Sequence, residues 1–333
     1  MDEVINAFMN PNFYDHVVEQ IKLLQTHISF VFLTGKYVYK IKKPVNFGFA
    51  DFSTLEKRKF FCEKELKLNA RLCKDMYIEV VPIKKFKGKI KMRGEGEVVE
   101  YAIKLKELPQ EAKMDRLIEK NKIDKKIIED IARIISDFHS KAETNKEINK
   151  YGSVENIKYI WNENFDQTID FIGRTIGKNQ FDFIKQKIEN FINRNKRLFE
   201  KRISDNKIRD CHGDLHSGNI FVGDKIYIFD CIEFNDRYRC SDVILDIAFF
   251  TMDLDFRCRQ GFSNYFLEKY TEFSGEKELF KLLKFYEYWR AYVRGKVISL
   301  KLNDPNIDEK EKIDSEKLAK QYFDLSYRYA AAI

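Results

Sequence analysis

The chain has 333 residues, 44% of them hydrophobic and 34% charged, with five prolines, fourteen glycines and a formal net charge of +7. That length buries a sizeable core in one large domain or two lobes, and the composition excludes a disordered or collagen-like chain. No stretch approaches the roughly 18 apolar residues of a membrane span, and the opening MDEVINAFMN carries acids where a signal peptide carries positive charge; a cytoplasmic protein with no membrane partner is expected.

Residues 1–25 read as helical. HISFVFLTGKYVYKIKK, residues 27–43, is two β-rich runs about Thr34-Gly35, a predicted hairpin. FSTLEKRKFFCEKELKLNARLC follows with helical spacing of Leu55, Phe61, Leu66, Leu68 and Leu72 and a cap at Ser53 or Thr54. YIEVVPIKKF and KIKMRGEGEVVEYAIKL read as further strands, turning at Lys87-Gly88 and Gly94 to Gly96. The character changes at KLKELPQ. IDKKIIEDIARIISDFHS is one amphipathic helix capped by Asp124, most of 154–200 is helical in pattern, and helices resume near Ser241 and continue to the end. Strand signals in this second part are confined to 219–222 and 225–229. The expected fold class is α+β: a small β-rich N-terminal lobe (1–104), a hinge (105–109) and a larger, mostly helical C-terminal lobe (110–333).

CHGDLHSGNIFVGDKIYIFD, residues 211–230, concentrates chemistry. With Gly223-Asp224 as a two-residue turn, Val222 faces Lys225 and Asn219 lies opposite Ile228, so Asn219, Ile228 and Asp230 share one face. Asp230 is then the diagonal neighbour of Asn219, roughly 7–8 Å away, and two hard oxygen donors at that separation suit magnesium carried with a nucleotide. Asp214, five residues before Asn219, places a carboxylate where it can orient a hydroxyl and accept its proton. Gly213 permits the tight backbone beside it, and His212 is read as a backbone-holding residue. Six cysteines include no CxxC pair and no histidines at zinc spacing, which excludes a zinc site and leaves reduced thiols.

HGDLHSGNIFVGDKIYIFD resembles the catalytic loop and metal-binding segment of the aminoglycoside phosphotransferase-like family, within the protein-kinase-like fold; the stretch around THISFVFLTGKYVYKIKKP is similar to uncharacterised bacterial members, some of them fused to a P-loop kinase domain. The resemblance implies Asp214 as catalytic base and Asn219 and Asp230 as Mg2+ ligands. Asp246-Ile247-Ala248 is similar to the family's D-L-A element that supports the loop. KYVYKIKKP offers Lys40 and Lys42 on one strand face as the phosphate-binding lysine; the family's strand pattern favours Lys40. Glu65, opening ELKLNARL, resembles the helix glutamate that positions it, with Glu63 as the alternative. By position, Leu105, Lys106, Glu107 and Leu108 form the hinge whose backbone meets adenine.

The sequence departs from the family in having no GxGxxG loop before Lys40, and Cys231-Ile232-Glu233 after the metal aspartate, which puts a further charge, Glu233, near the site. GRTIGKN at 173–179 has the wrong spacing for a P-loop and no Ser or Thr after its lysine. KKFKGKIKMR is read as a solvated hairpin tip, and no nucleic-acid partner is expected. Phe285, Trp289, Tyr292 and Trp161 are read as core.

The expected activity is ATP- and Mg2+-dependent phosphoryl transfer to a hydroxyl of a small molecule. The alternatives are a protein kinase of the same fold and a non-catalytic nucleotide-binding module; the short segment after Asp230 argues against the first and the intact Asp214, Asn219 and Asp230 set against the second. From Asp210 to Asp255 ten acids face only Lys225, Arg237 and Arg239, a balance of −7, leaving +14 on the rest of the chain. That island points to a divalent cation, a cationic acceptor such as an amino sugar or amino alcohol, or both.

Overall fold

The computed structural model describes residues 1–304 and 307–333. Helices in chain order are α1 (Asp2–Phe8), α2 (Leu55–Cys73), α3 (Met114–Glu119), α4 (Lys125–Lys141), α5 (Lys146–Asn149), α6 (Val154–Asp166), α7 (Lys178–Arg194), α8 (Lys196–Ser204), α9 (Asp236–Arg239), α10 (Val243–Phe256), α11 (Gln260–Ser274), α12 (Leu279–Leu300) and α13 (Glu309–Ala331). Strands are β1 (Lys22–Gln25), β2 (Ser29–Leu33), β3 (Tyr37–Lys42), β4 (Tyr77–Phe86), β5 (Lys89–Met92), β6 (Glu97–Lys106), β7 (Ile208–Asp210), β8 (Ile220–Val222), β9 (Ile226–Ile228) and β10 (Cys240–Asp242).

The chain divides into two compact units, the first made of 1–120 and 218–236, the second of 121–217 and 237–333. The first therefore includes the hinge segment and the β8–β9 hairpin, a different partition from lobes cut once along the sequence.

In the first unit β1 to β6 form an antiparallel sheet in the order β1-β2-β3-β6-β4-β5. One face buries Phe32, Tyr39, Ile41, Val81, Ile83 and Ala102 against Val4 and Phe8 of α1 and against Tyr14. The other face meets α2 and the hairpin, where Cys62, Cys73, Met76, Tyr77, Ile103, Leu105 and Phe221 pack together. The Thr54 hydroxyl caps α2 by accepting from the Lys57 N–H. The helical expectation for residues 1–25 does not hold beyond Phe8. Pro11 after Asn10 starts a short 3-10 turn, with the Asn10 side chain accepting from the Asn12 N–H, and a proline disfavours helix in the residue before it. Lys22–Gln25 is instead an edge strand paired with β2, too short for a visible alternation.

The second unit is helical around α10 and α12. Every residue of α10 from Val243 to Leu254 is buried, Asp246, Thr251 and Asp253 included, so it is a core helix rather than a striped surface one. Phe285, Trp289 and Tyr292 of α12 are buried with Trp161 of α6, as core; Trp161 and Trp289 rings are 5.0 Å apart. Asp124 caps α4 by accepting from the Ile127 N–H. The β7–β10 pair escaped the sequence reading because each strand has only three residues. Among the described residues no helix is long and apolar enough to cross a membrane.

Phe8 is fully buried between Phe13 and Phe32, with ring centroids 4.7 and 4.8 Å away. Phe8→Ala removes that ring from a packed core and should lower the unfolding free energy by about 3–5 kcal/mol in urea denaturation.

Candidate active site

Register places the charged groups of the first unit. β3 pairs with β2 so that Lys40 faces Val31 and Val38 faces Leu33, and with β6 so that Lys40 faces Ile103. β1 adds Leu24 opposite Val31 and Lys22 opposite Leu33. Directly opposed residues share a face, so Lys22, Leu24, Leu33, Val38, Lys40 and Lys42 all lie on the α2 side of the sheet.

Lys40 Nζ donates to Glu65 Oε1 at 2.9 Å and to Asp230 Oδ1 at 2.8 Å. Lys42 was the alternative for the same role; its ammonium donates to the other oxygen of Glu65, Oε2, at 2.7 Å, and to Glu233, and it lies 4.9 Å from the Phe52 ring centroid. Three carboxylates and two lysines thus alternate as Asp230, Lys40, Glu65, Lys42 and Glu233. Glu63, the other helix candidate, is exposed and pairs with Lys59 on its own helix. Burial by itself would raise the Glu65 pKa, but the charges of Lys40 and Lys42 and their hydrogen bonds outweigh it and hold the carboxyl at about 2. For Glu233 burial wins over the attraction of Lys42, and its pKa is raised. Lys40 is pulled the other way: burial disfavours its charge, yet Asp230 and Glu65 push its pKa well above the lysine range.

The β8–β9 hairpin differs from expectation. Ile220 faces Ile228 and Val222 faces Ile226, so the loop is three residues, Gly223 to Lys225, closed by the Gly223 N–H donating to the Lys225 carbonyl at 3.2 Å. The register moves by one, and Asn219 lies opposite Phe229, whose N–H donates to the Asn219 carbonyl at 3.0 Å. Alternation therefore does not put Asn219 and Asp230 on one face. Asp230 instead has φ +63°, a left-handed conformation that breaks the alternation. Its side chain is 43% exposed beyond the bond to Lys40, whereas Asn219 is buried. An amide oxygen and a partly exposed carboxylate are hard donors of the kind Mg2+ takes.

The same unit contains a cleft of about 890 Å3 lined by, among others, Lys22, Leu24, Leu33, Gly35, Glu107 and Lys113. Leu24 and Leu33 put it on the Lys40 side of the sheet. Of the expected hinge residues, Leu105 is buried, and the Lys106 and Glu107 N–H groups donate to the Met76 and Lys36 carbonyls at 2.8 and 3.1 Å. Leu108 is half-buried. The Glu107 carboxylate accepts from the Thr34 and Gly35 N–H groups at 2.9 and 2.8 Å, tying the β2–β3 turn to the hinge. Gly35 supplies the φ of +88° that this turn requires.

The second unit holds Asp214. The Asp246 carboxylate accepts from the His212 N–H at 2.8 Å and from the Gly213 N–H at 2.8 Å, and His139 Nε2 lies 3.2 Å from it. His212 is fully buried, and its Nδ1 accepts from the Asp214 N–H at 3.2 Å, so the ring holds backbone. Gly213 takes φ +84°. His139, whose Nδ1 lies 2.9 Å from the Tyr270 hydroxyl, was not visible as a partner: 107 residues separate it from Asp246. Cys211, His139 and Asp246 have ligand atoms within 4.8 Å of one another, but Asp246 is taken by the loop N–H groups and His139, and the Cys211 thiol is pushed well up by burial; the cluster braces the loop. Burial would raise the Asp246 pKa, but His139 and the loop N–H groups hold it at about 2. The Asp214 side chain is 33% exposed, 3.5 Å from His216 Nε2. Burial disfavours its charge, and His216, Arg294 and His212 overcome that and hold its pKa well below the carboxylate range.

The acidic island is largely spent inside the protein. Asp210 pairs with Arg239, Asp214 with His216, Asp230 with Lys40, Glu233 with Lys42, Asp236 with Lys64, Asp242 with Arg202, Asp246 with His139 and Asp253 with Arg257, and Asp255 accepts from the Tyr329 hydroxyl. Six of the ten acids are thus paired with a lysine or arginine within the protein, so less of the island's charge is left to meet a ligand than the sequence count suggests.

No family model matches the chain. Over 278 residues it is 31% identical to uncharacterised proteins of Mycobacterium tuberculosis and Mycobacterium bovis, an alignment covering 83% of this chain and 54% of each relative. The chain spans about half the length of the curated relatives it matches. Among solved structures it superimposes on a choline/ethanolamine kinase family protein from Mesorhizobium loti with a TM-score of 0.54 at 10% identity, covering 99% of this chain and 100% of that one. It also superimposes on an amicoumacin kinase in complex with AMP-PNP, Ca2+ and Ami, with a TM-score of 0.53 at 13% identity and coverage of 97% and 96%. The fold is the two-lobed protein-kinase-like one that the aminoglycoside phosphotransferase-like resemblance implies.

Two outcomes follow from the buried charges. Lys42→Met leaves Glu233 buried without its cation and should cost about 3–5 kcal/mol in denaturant unfolding, with Lys42→Met/Glu233→Gln recovering a measurable part. Glu65 and Asp246 have folded pKa values depressed to about 2, so the stability they contribute is complete above the ordinary carboxyl range near pH 4 and is lost as pH falls towards about 2. Thermal unfolding scans should show Tm falling across that window, and a smaller fall for Asp246→Asn.

Proposed function

We propose that this chain is an ATP- and Mg2+-dependent phosphotransferase that moves the γ-phosphoryl group to a hydroxyl of a small molecule. The observation that carries this reading is the Lys40 ammonium held between Glu65 and Asp230, on the sheet face that also borders the cleft. A lysine fixed by a helix carboxylate is an oriented point charge for the α- and β-phosphates. Leu24 and Leu33 offer apolar contact to the base. With the Lys106 and Glu107 N–H groups already engaged, backbone recognition of the base falls to Leu108.

Asn219 and Asp230 are the residues that would hold Mg2+, and the ion would neutralise charge that develops on the phosphate oxygens. Asp230 is partly exposed beyond its bond to Lys40, so it would serve the ion while Glu65 keeps Lys40 oriented for phosphate. Asp214 takes the acceptor's hydroxyl proton as the acceptor oxygen bonds to the γ-phosphorus. The bond from that phosphorus to the bridging oxygen breaks, and ADP leaves with the electron pair. A carboxylate held ionised suits that role as hydroxyl orienter and late proton acceptor. Asp246 acts as a positioning residue through the loop backbone, and most of the rate comes from placement and charge. Only five residues separate Asp230 from α9, too few for a long peptide-docking segment, which favours a small acceptor over a protein. The amicoumacin kinase, solved with a nucleotide analogue and a divalent ion, is in keeping with this chemistry.

Asp214→Ala should lower turnover by about 10²–10⁴-fold while the thermal shift produced by MgATP stays as in the wild type. Near-normal turnover would reject Asp214 as the base, and loss of the MgATP shift would mean that the substitution acts on the nucleotide instead.

A further inference from the structure

We infer that the acceptor is an anion, a hydroxyl compound bearing a phosphate or a carboxylate, and that Arg290 and Arg294 bind its negative group. This rests on the reading of Asp214 as the base and concerns the second unit alone.

Among the described residues four arginines are buried. Arg58 pairs with Glu100, Arg202 with Asp242 and Glu276, and Arg239 with Asp210. Arg290 is the exception. It is 6% exposed, its Nε reaches the Leu245 carbonyl at 3.4 Å, its guanidinium carbon lies 4.8 Å from the Phe249 ring centroid, and its buried Nη2 has no hydrogen-bond partner. Guanidinium is not deprotonated in proteins, so this is a buried positive charge with an idle donor; Asp246 and Asp214 attract that charge without bonding to its Nη2.

Its surroundings point to the reacting end of the site. Asp246, Phe249 and Asp253 recur at three and four residues along α10, on one face. Asp246 holds the His212 and Gly213 N–H groups, and Asp253 accepts from the Ser217 N–H at 3.0 Å and from its hydroxyl, so residues 212–217 run along that face. Phe249 sits between the two sides: Arg290 is over its ring, and the His216 ring centroid is 5.2 Å away. His216 in turn is 3.5 Å from Asp214. Arg294, one turn along α12, is half-buried with its guanidinium 5.5 Å from the Tyr322 ring centroid, and its charge is felt at Asp214. The neighbouring acids do not satisfy Arg290, because Asp246 is engaged by His139 and the loop, and Asp253 by Ser217 and Arg257. Two guanidinium groups at helical spacing beside the base form a receptor for an oxyanion, and they would repel an ammonium.

The test uses the full chain and matched probes on two scaffolds: glycerol and glucose (neutral), 3-aminopropane-1,2-diol and glucosamine (cationic), glycerate and gluconate (carboxylate), glycerol 3-phosphate and glucose 6-phosphate (phosphate). Calorimetric titrations without nucleotide should give binding of at least one anionic class about tenfold or more tighter than its neutral and cationic counterparts. Arg294→Gln should remove that preference, Arg290→Lys should weaken it, and Lys40→Ala, altered only at the nucleotide side, should keep it. Preference for carboxylate or for phosphate probes then identifies the group. Equal or tighter binding of the cationic probes, or a preference intact in Arg294→Gln, overturns the inference; so does its loss in Lys40→Ala, which would place the anion at the nucleotide site. Transfer from MgATP is measured separately. Arg294-dependent anion binding without transfer to any probe counts against the phosphotransferase reading and supports the anion site, whereas transfer to neutral or cationic probes with no anion preference does the reverse.

Discussion

The charged centre of the first unit depends on Glu65, a fully buried carboxylate with a lysine on each oxygen. Burying one carboxylate beside one lysine roughly balances desolvation against attraction. Sharing it between Lys40 and Lys42, and closing the chain with Asp230 and Glu233, gives each cation two acceptors and fixes both lysines on one sheet face. The three carboxylates outnumber the two lysines by one, and the excess lies at opposite ends of the row. Glu233 is sealed at the inner end, while Asp230 is partly exposed at the outer end. Only the outer carboxylate can change partners without a buried charge being stranded, and it is the one proposed above to hold Mg2+.

The second unit solves a similar problem differently. Its central carboxylate, Asp246, is held by backbone N–H groups and a histidine rather than by lysines. Hydrogen bonds to the charged form keep it ionised, and because the donors belong to consecutive residues they shape a loop instead of orienting side chains. The left-handed Gly213 lets two successive N–H groups point at one carboxylate. Asp214 follows directly, so its direction is set by a carboxylate that it does not touch through its side chain.

The same pairing changes what the charge pattern means. Ten acids within 46 residues look like a site for cations when read along the chain, yet nine of them meet a side-chain partner, several contributed by elements remote in sequence: Arg202 by α8, His139 by α4, Lys40 by β3. The basic surplus elsewhere in the chain supplies the counter-ions. Among the described residues of the second unit, the buried guanidinium left with an idle donor is that of Arg290.

How much was legible follows from the range of each interaction. The strand–helix–strand order of the first hundred residues, the caps Thr54 and Asp124, the Lys40 and Glu65 pairing and the spacing of Asp214, Asn219 and Asp230 could all be read, because periodicity, capping and motif spacing are local and the resemblance lay in contiguous segments. The hairpin register could not: Gly223-Asp224 and Gly223 to Lys225 are both acceptable loops, and one residue of difference turns every side chain over. Nor could the role of Lys42, the brace from His139 or the idle donor of Arg290, because each is defined by a partner, or by its absence, tens to hundreds of residues away. The amino-acid order by itself determined which groups are available and what local backbone they favour. Only the tertiary structure decided which charges neutralise one another, since desolvation and Coulomb attraction act through space and take no account of position along the chain.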